Sequence, residues 1–388
     1  MTAYDLALAK ARKDIAALEA ISQRDSRDCE KRVRLAYRLF HQASLTSDEI
    51  EFRKVRQAID DVIRDFGPKE DICLLRANID GRFHRLGEVK RDLEMCPALA
   101  RRREGRSITA DVDFQEGRYD EARRALESLI DESRTWDALA RLAHWKGKMG
   151  EREEADRLYA EAEDELTAKE LLSFAWLELQ RGVLAISRGR YGKARTHYHR
   201  AAASFSGHWL AGEHIAKLLA AEGKFDEAVA LMREVIARTP RPESKQALGE
   251  LLASVGRAEE AKPWLDAAEA AYLASAREGG VHYFHHLADL YADTGRPAEA
   301  VEWARKDVAL RPNFSTQAAL AWALFQNGEM AEGVEWIRRA LSSGVQDGGI
   351  FATAASLLHA AGDAAEGDRY ARAAAEINPG GSGFHLHH

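Results

Sequence analysis

A glycine followed five positions later by a small residue recurs at a near-constant interval along this chain, at Gly117, Gly150, Gly189, Gly223, Gly256, Gly295, Gly328 and Gly362. Successive spacings are 33, 39, 34, 33, 39, 33 and 34, which is a single period lengthened twice. A fixed period of this length means repeated supersecondary units that bury their apolar faces against their neighbours. No other feature narrows the fold as far.

The columns flanking the glycines agree in register. Five positions after them stand Ala122, Ala155, Ala194, Ala228, Ala261, Ala300, Gly333 and Gly367. Seven before stand Ala110, Ala143, Gly182, Ala216, Gly249, Ala288, Ala321 and Ala355. Small residues in both columns mark where two helices cross too closely for a larger side chain. Bulky residues recur at other fixed offsets, among them Leu219, Leu252, Tyr291, Leu324 and Leu358 four before the glycine, and Leu126, Tyr159, Tyr198, Met232, Leu265 and Ile337 nine after it. Pro240, Pro312 and Pro379 follow Gly223, Gly295 and Gly362 at one common offset, where a proline ends a second helix. Each unit therefore reads helix, glycine turn, helix.

These columns resemble those of the tetratricopeptide repeat, most closely in Gly223-Lys-Phe-Asp-Glu-Ala228 with Pro240 and in Ala375-Glu-Ile-Asn-Pro379. The resemblance runs from about residue 103 to 379 and implies an all-α fold, an α-α superhelix of about ten helical hairpins. Three positions depart from it: Asp307 replaces a small core residue, Arg181 replaces an aliphatic, and Pro263 lies one turn into its helix, where it is expected to bend it. Residues 101–379 are thus the tandem repeats. Residues 1–100 read as a capping helix over 4–22 followed by two degenerate hairpins. The first, 28–45 with 48–66, has Thr46 or Ser47 as N-cap and Gly67-Pro68 as stop. The second, 70–86 with 88–96, turns at Gly87 and ends at Pro97. A separate helical domain over 1–100 is the competing arrangement, with Arg101–Arg106 as kink or boundary. Residues 380–388 form a histidine-containing tail outside the repeat.

Composition excludes several classes of function. The formal net charge of -7 argues against a chain that neutralises nucleic-acid phosphates. No stretch approaches the roughly 18 apolar residues of a membrane span, so none is expected, and the amino terminus lacks an uninterrupted apolar core of signal-peptide length. Cys29, Cys73 and Cys96 are scattered and few, which points to buried thiols in a reducing, cytoplasmic setting. Phosphate-loop, zinc-protease and nucleophile-elbow motifs are missing, Gly189-Arg-Tyr-Gly-Lys-Ala194 being a repeat turn, so neither catalysis nor a cofactor is expected.

The resemblance implies that recognition lies on a groove lined by the first helix of each repeat, at positions 13, 10, 6 and 3 before the turn glycine. Carried over, these are His144; Trp176 and Leu179; Glu213 and Lys217; Glu243, Gln246 and Glu250; His282, His285 and Asp289; Trp322 and Phe325; and His359. Aromatic anchors among acidic residues suit a protein or peptide segment with apolar and basic side chains. Lys217, with Glu213 as its companion, is the only basic residue among these lining positions, which disfavours the family's carboxylate clamp. A plain solvated face is the alternative for the whole lining. His282, His285 and Asp289 also offer two imidazoles and a carboxylate, a metal-ligand set, although they span about 10 Å of helix and His286 points instead to the helix interface. The terminal Phe384-His-Leu-His-His388 is a site of adventitious chelation. Lys193–Arg200, Trp303 and Trp336 lie on second helices and read as solvated face or packing. A helical-repeat scaffold for protein–protein interaction is the function these residues favour.

Overall fold

The computed structural model describes residues 1–24 and 28–379, and the tail from 380 onward lies outside the described residues. Among them are 22 helices and no strand: a lone first helix, ten hairpins and one five-residue helix. None is long and apolar enough to cross a membrane. Contacts divide the chain into two units, Met1–Val112 with Phe205–His208, and Asp113–Ser204 with the residues from Trp209 onward. The division falls within the helix Arg103–Gln115, which opens the first clear repeat.

In the first unit, the helix Glu49–Phe66 buries Phe52, Val55, Ile59 and Val62, a stripe of helical period, against Ile72, Leu75 and Ile79. Asp48, not Ser47 or Thr46, is its N-cap, with a carboxylate oxygen accepting from the Ile50 N–H at 2.7 Å. Ser47 takes a left-handed conformation, φ 52°, and ends the preceding helix. The second degenerate hairpin, Glu70–Arg82 with Leu86–Met95, turns at His84 and not at Gly87, which lies inside its second helix. His84 has φ 58°, the conformation glycine supplies elsewhere. The register agrees: Ala77, seven before it, and Val89, five after it, are fully buried. Arg85 N–H donates to the Asp80 carbonyl at 2.8 Å, the bond that closes the later turns as Lys224 to Leu219 and Arg257 to Leu252.

Cys73 and Cys96 form a disulfide across this hairpin, Cα to Cα 6.6 Å, and Cys29 remains a half-buried thiol. The expectation of three unpaired thiols is corrected. No motif marks the pair because hairpin packing, not spacing, brings the two sulfurs together.

The eight repeats supply the rest. All eight turn glycines have positive φ, from 66° to 92°. The small columns are sterically required: a Cβ on Gly182 would stand 2.1 Å from the Tyr198 ring, and one on Gly249 2.5 Å from Leu265. The two longer spacings are absorbed differently, one in the link between Arg152–Asp164 and Leu171–Ile186, the other in the 20-residue helix Ala258–Arg277. That second helix continues through Pro263. Asp307 is buried with Arg311, one turn on, which donates two hydrogen bonds of 2.8 Å to its two carboxylate oxygens. Arg181 reaches Asp156 and Glu163 at 3.1 and 3.0 Å. Both departures from the repeat are therefore internally paired.

One relationship exceeds the neighbour-to-neighbour contacts of a repeat array. The turn of the first repeat meets the residues that open the seventh: Asn313 Nδ2 donates to the Gln115 carbonyl and side-chain oxygens at 3.2 Å, and Phe314 N–H donates to the Tyr119 hydroxyl at 2.8 Å. The turn of the second meets the opening of the eighth: Gln346 N–H donates to the Lys148 carbonyl at 2.9 Å, Arg152 donates to the Gln346 carbonyl, and Lys148 lies 3.5 Å from Asp347. Within the second unit the superhelix thus returns on itself after six repeats along a regular seam.

Candidate binding surface of the second unit

The polar residues of the fourth and fifth repeats are turned on each other. Glu213 is 7% exposed, accepts from Ser244 Oγ at 3.0 Å, and has Lys217 at 3.4 Å and Arg241 at 3.9 Å. Burial alone would raise its carboxyl, but Lys217, Arg241, His214 and the Ser244 hydroxyl outweigh burial and hold it below the usual carboxylate range. Arg241 donates to Glu243 at 2.5 Å and lies 4.1 Å from the centre of the Trp209 ring. Gln246, 2% exposed, donates to Glu250 at 2.7 Å and accepts from the Tyr272 hydroxyl at 2.8 Å. Of the acidity expected to face a basic partner, Glu213 and Glu243 are therefore paired internally with Lys217 and Arg241. Arg241, Trp209, Ser244 and Tyr272 lie outside the four lining columns, so no sequence signal marks them.

The histidines of the sixth repeat are similarly absorbed. The helix begins at Phe284, so His282 sits in the turn before it and does not share a helical face with His285 and Asp289. His282 lies against Tyr283, ring centres 3.7 Å apart, and His286 is stacked on Tyr272 at 5.2 Å. His285 neighbours His286 at 4.1 Å, and Asp289 is half-buried. Among the described residues no three His, Cys, Asp or Glu side chains come together to hold a metal ion. The metal reading of His282, His285 and Asp289 is corrected: a turn replaces the helical turn that would have aligned them.

The hydrophobic candidates separate. Leu179 is fully buried and belongs to the core, not to a surface. Trp176 is 37% exposed and meets Trp136 edge-on at 6.4 Å. His359 packs within its own hairpin, its Nε2 2.9 Å from Asp368 and its ring over Gly367, where a Cβ would stand 2.4 Å away. Trp322 and Phe325, ring centres 5.4 Å apart, are partly buried against the core of the seventh and eighth repeats, as are Phe114, Tyr119 and Met149 of the first two. His144 meets Phe114 edge-on at 5.4 Å. Burial, and after it Lys148, lowers the His144 imidazole to about 4, so it is neutral at physiological pH. The residue as a whole stays exposed on its helix. The seam is what gathers aromatic side chains from repeats far apart in sequence.

Beneath the third repeat lies a charged cluster that the four lining columns do not reach. Glu178 is fully buried and takes His197 Nδ1 at 3.1 Å and Arg200 at 3.2 Å.

Hairpins of this register, glycine-turned and small at the helix crossings, define a helical-repeat scaffold. Two tetratricopeptide-repeat family models match the chain, one over residues 179–241 and 214–279, the other over 104–128 and 281–306. The chain carries tetratricopeptide repeats, which in general mediate protein–protein interaction. Among curated proteins no match is found.

Proposed function

We propose that this protein is a non-catalytic interaction scaffold whose second unit holds a segment of a partner protein against the first helices of its repeats. The observation that carries the reading is the partly exposed aromatic set of Phe114, His144, Trp322 and Phe325, with Trp136 and Trp176 as a second pair. Aromatic side chains offer large contact areas at low entropic cost and dominate binding energy where they occur at interfaces. With Glu213, Glu243 and Glu250 engaged internally, apolar contact supports the reading more than an acidic field does. Exchange of Trp322 and Phe325 for Ala, with Trp176→Ala as a second variant, should reduce recovery of partners from the native cell while helical circular dichroism is retained. Recovery of the same partners in the same yield by folded variants would sink the assignment of this surface.

A further inference from the structure

The seam has a third step. Pro312, the proline that closes the repeat of Gly295, places its carbonyl oxygen against the first turn, 2.8 Å from where a Cβ on Gly117 would be. Gln346 stands in the same way against the second turn, 2.7 Å from the Cβ position of Gly150. Pro379 closes the repeat of Gly362 at the same offset. It lines a cavity of about 450 Å³ with Arg188 and Arg190, the residues flanking Gly189 in the third turn. At the first two steps the chain continues from this point into a helix whose capping residue, Asn313 or Asp347, engages the turn beneath. At the third step the described chain ends.

The charges at this step differ from those at the other two. Arg152, Arg188 and Arg190 all line the cavity, with Glu376 as the one acidic lining residue among the described residues and Phe351 and Ile377 as apolar floor. Arg188 and Arg190 share the rim carboxylate of Glu153, which is 73% exposed. Arg152 is engaged by a backbone carbonyl, that of Gln346. Burial and then the proximity of Arg188 disfavour the charge on Arg152, while Asp347 and Glu153 favour it.

We infer that the cavity between the third repeat's turn and the last helix is a docking site for an acidic, helix-starting segment of a partner protein. Its capping carboxylate meets Arg188 and Arg190 as Asp347 meets Lys148 one step earlier, and its first apolar side chain rests on Phe351 and Ile377. Guanidinium groups bind carboxylates through paired, charge-assisted hydrogen bonds, which makes this site selective for acid over amide. The assignment rests on the scaffold reading and names a partner chemistry for it, but it uses residues separate from Trp322 and Phe325.

The test is fluorescence polarisation of the full chain with a labelled helical peptide carrying Asp at its N-cap and Glu and Leu in its first two turns. Its counterpart has Asn and Gln in place of the acids. The acidic peptide should bind at least about tenfold more tightly than the amide one, and weaken as salt rises. The double substitution Arg188→Ala/Arg190→Ala should abolish that preference. Arg190→Gln alone, at a half-exposed side chain whose ion-pair partner is the rim Glu153, should reduce it without unfolding the turn. Trp322→Ala should leave it unchanged, so failure of the aromatic surface and failure of this site are read separately. Truncation after Pro379 should preserve binding. Equal binding of the two peptides, unchanged binding by a folded arginine variant, or displacement by inorganic phosphate at the peptide's own dissociation constant would each overturn the inference.

Discussion

The backbone N–H of Phe314 donates to the hydroxyl of Tyr119 at 2.8 Å across 195 residues of chain. The two rings are stacked, their centres 5.3 Å apart. Burial raises the Tyr119 hydroxyl to about 12, so it stays protonated and keeps its oxygen as a neutral acceptor across the physiological range. This contact turns a row of locally packed hairpins into a closed superhelical turn within the second unit.

The seam assigns unequal roles to glycines that look alike. Gly117 and Gly223 both have positive φ, 78° and 76°, but a Cβ on Gly117 would stand 2.8 Å from the Pro312 carbonyl oxygen, whereas one on Gly223 would have nothing within 4 Å. Gly223→Ala should cost about 1 kcal/mol, the left-handed penalty alone. Gly117→Ala should cost about 1–3 kcal/mol more, as overpacking of a backbone contact does. All eight tryptophans lie beyond residue 112, so denaturant unfolding followed by tryptophan fluorescence reports on this unit. Equal costs at the two sites would mean that the seam carries no stability.

Asp80 gives the first unit a distinctive pH dependence. Burial, opposed mainly by Arg56, raises its carboxyl from 3.8 to about 6. Between those two values the folded state holds a proton that the unfolded state releases, so stability falls as pH rises through this window and is lowest, by about 3 kcal/mol, above it. The difference in stability between wild type and Asp80→Asn should therefore fall by about 1.4 kcal/mol per pH unit from 4 to 6. Hydrogen exchange in the helix Glu70–Arg82 measures it, and a flat difference would show that Asp80 stays ionised throughout.

The buried pair Asp307–Arg311 should behave as an inseparable unit. Arg311→Met leaves a buried carboxylate without its partner, and a loss of about 3–5 kcal/mol is expected. Replacing both, Asp307→Ala with Arg311→Met, restores the small residue of the repeat column and should recover most of that loss. A double-mutant cycle under denaturant checks it. Additive effects would contradict the coupling that the geometry implies.

The cysteine pairing is open to direct counting. Unfolded in guanidinium without reductant, the chain should show one titratable thiol, Cys29, and after reduction three. Three thiols before reduction, in protein purified without reductant, would contradict the Cys73–Cys96 bond.

The hairpins were legible because their determinants are local. A glycine at a left-handed turn and small residues at a helix crossing act within one unit of about 34 residues, and eight repetitions make the pattern plain. The degenerate hairpin was harder to place because its turn residue is His84, which a pattern keyed on glycine passes over although it stands one repeat period before Gly117. The lining columns marked the partly exposed Trp176, Trp322 and Phe325 and also the buried Leu179, because a fixed offset does not register how deeply each helix is packed. They marked Glu213 and Gln246 without showing that Arg241 and Tyr272 engage them.

Local chemistry written into the chain thus accounts for its folding as helical hairpins, for where the glycine-turned repeats reverse, and for which small residues let the helices cross. Other features came from the three-dimensional arrangement alone: the second unit meets itself after six repeats, Gly117 and Gly150 are glycines for a second reason, and Arg188 and Arg190 stand at the seam's third step. The reason is that superhelical return is the accumulated effect of small rotations between neighbouring units. No single repeat encodes that sum, and a slight change in each would carry Tyr119 and Phe314 apart.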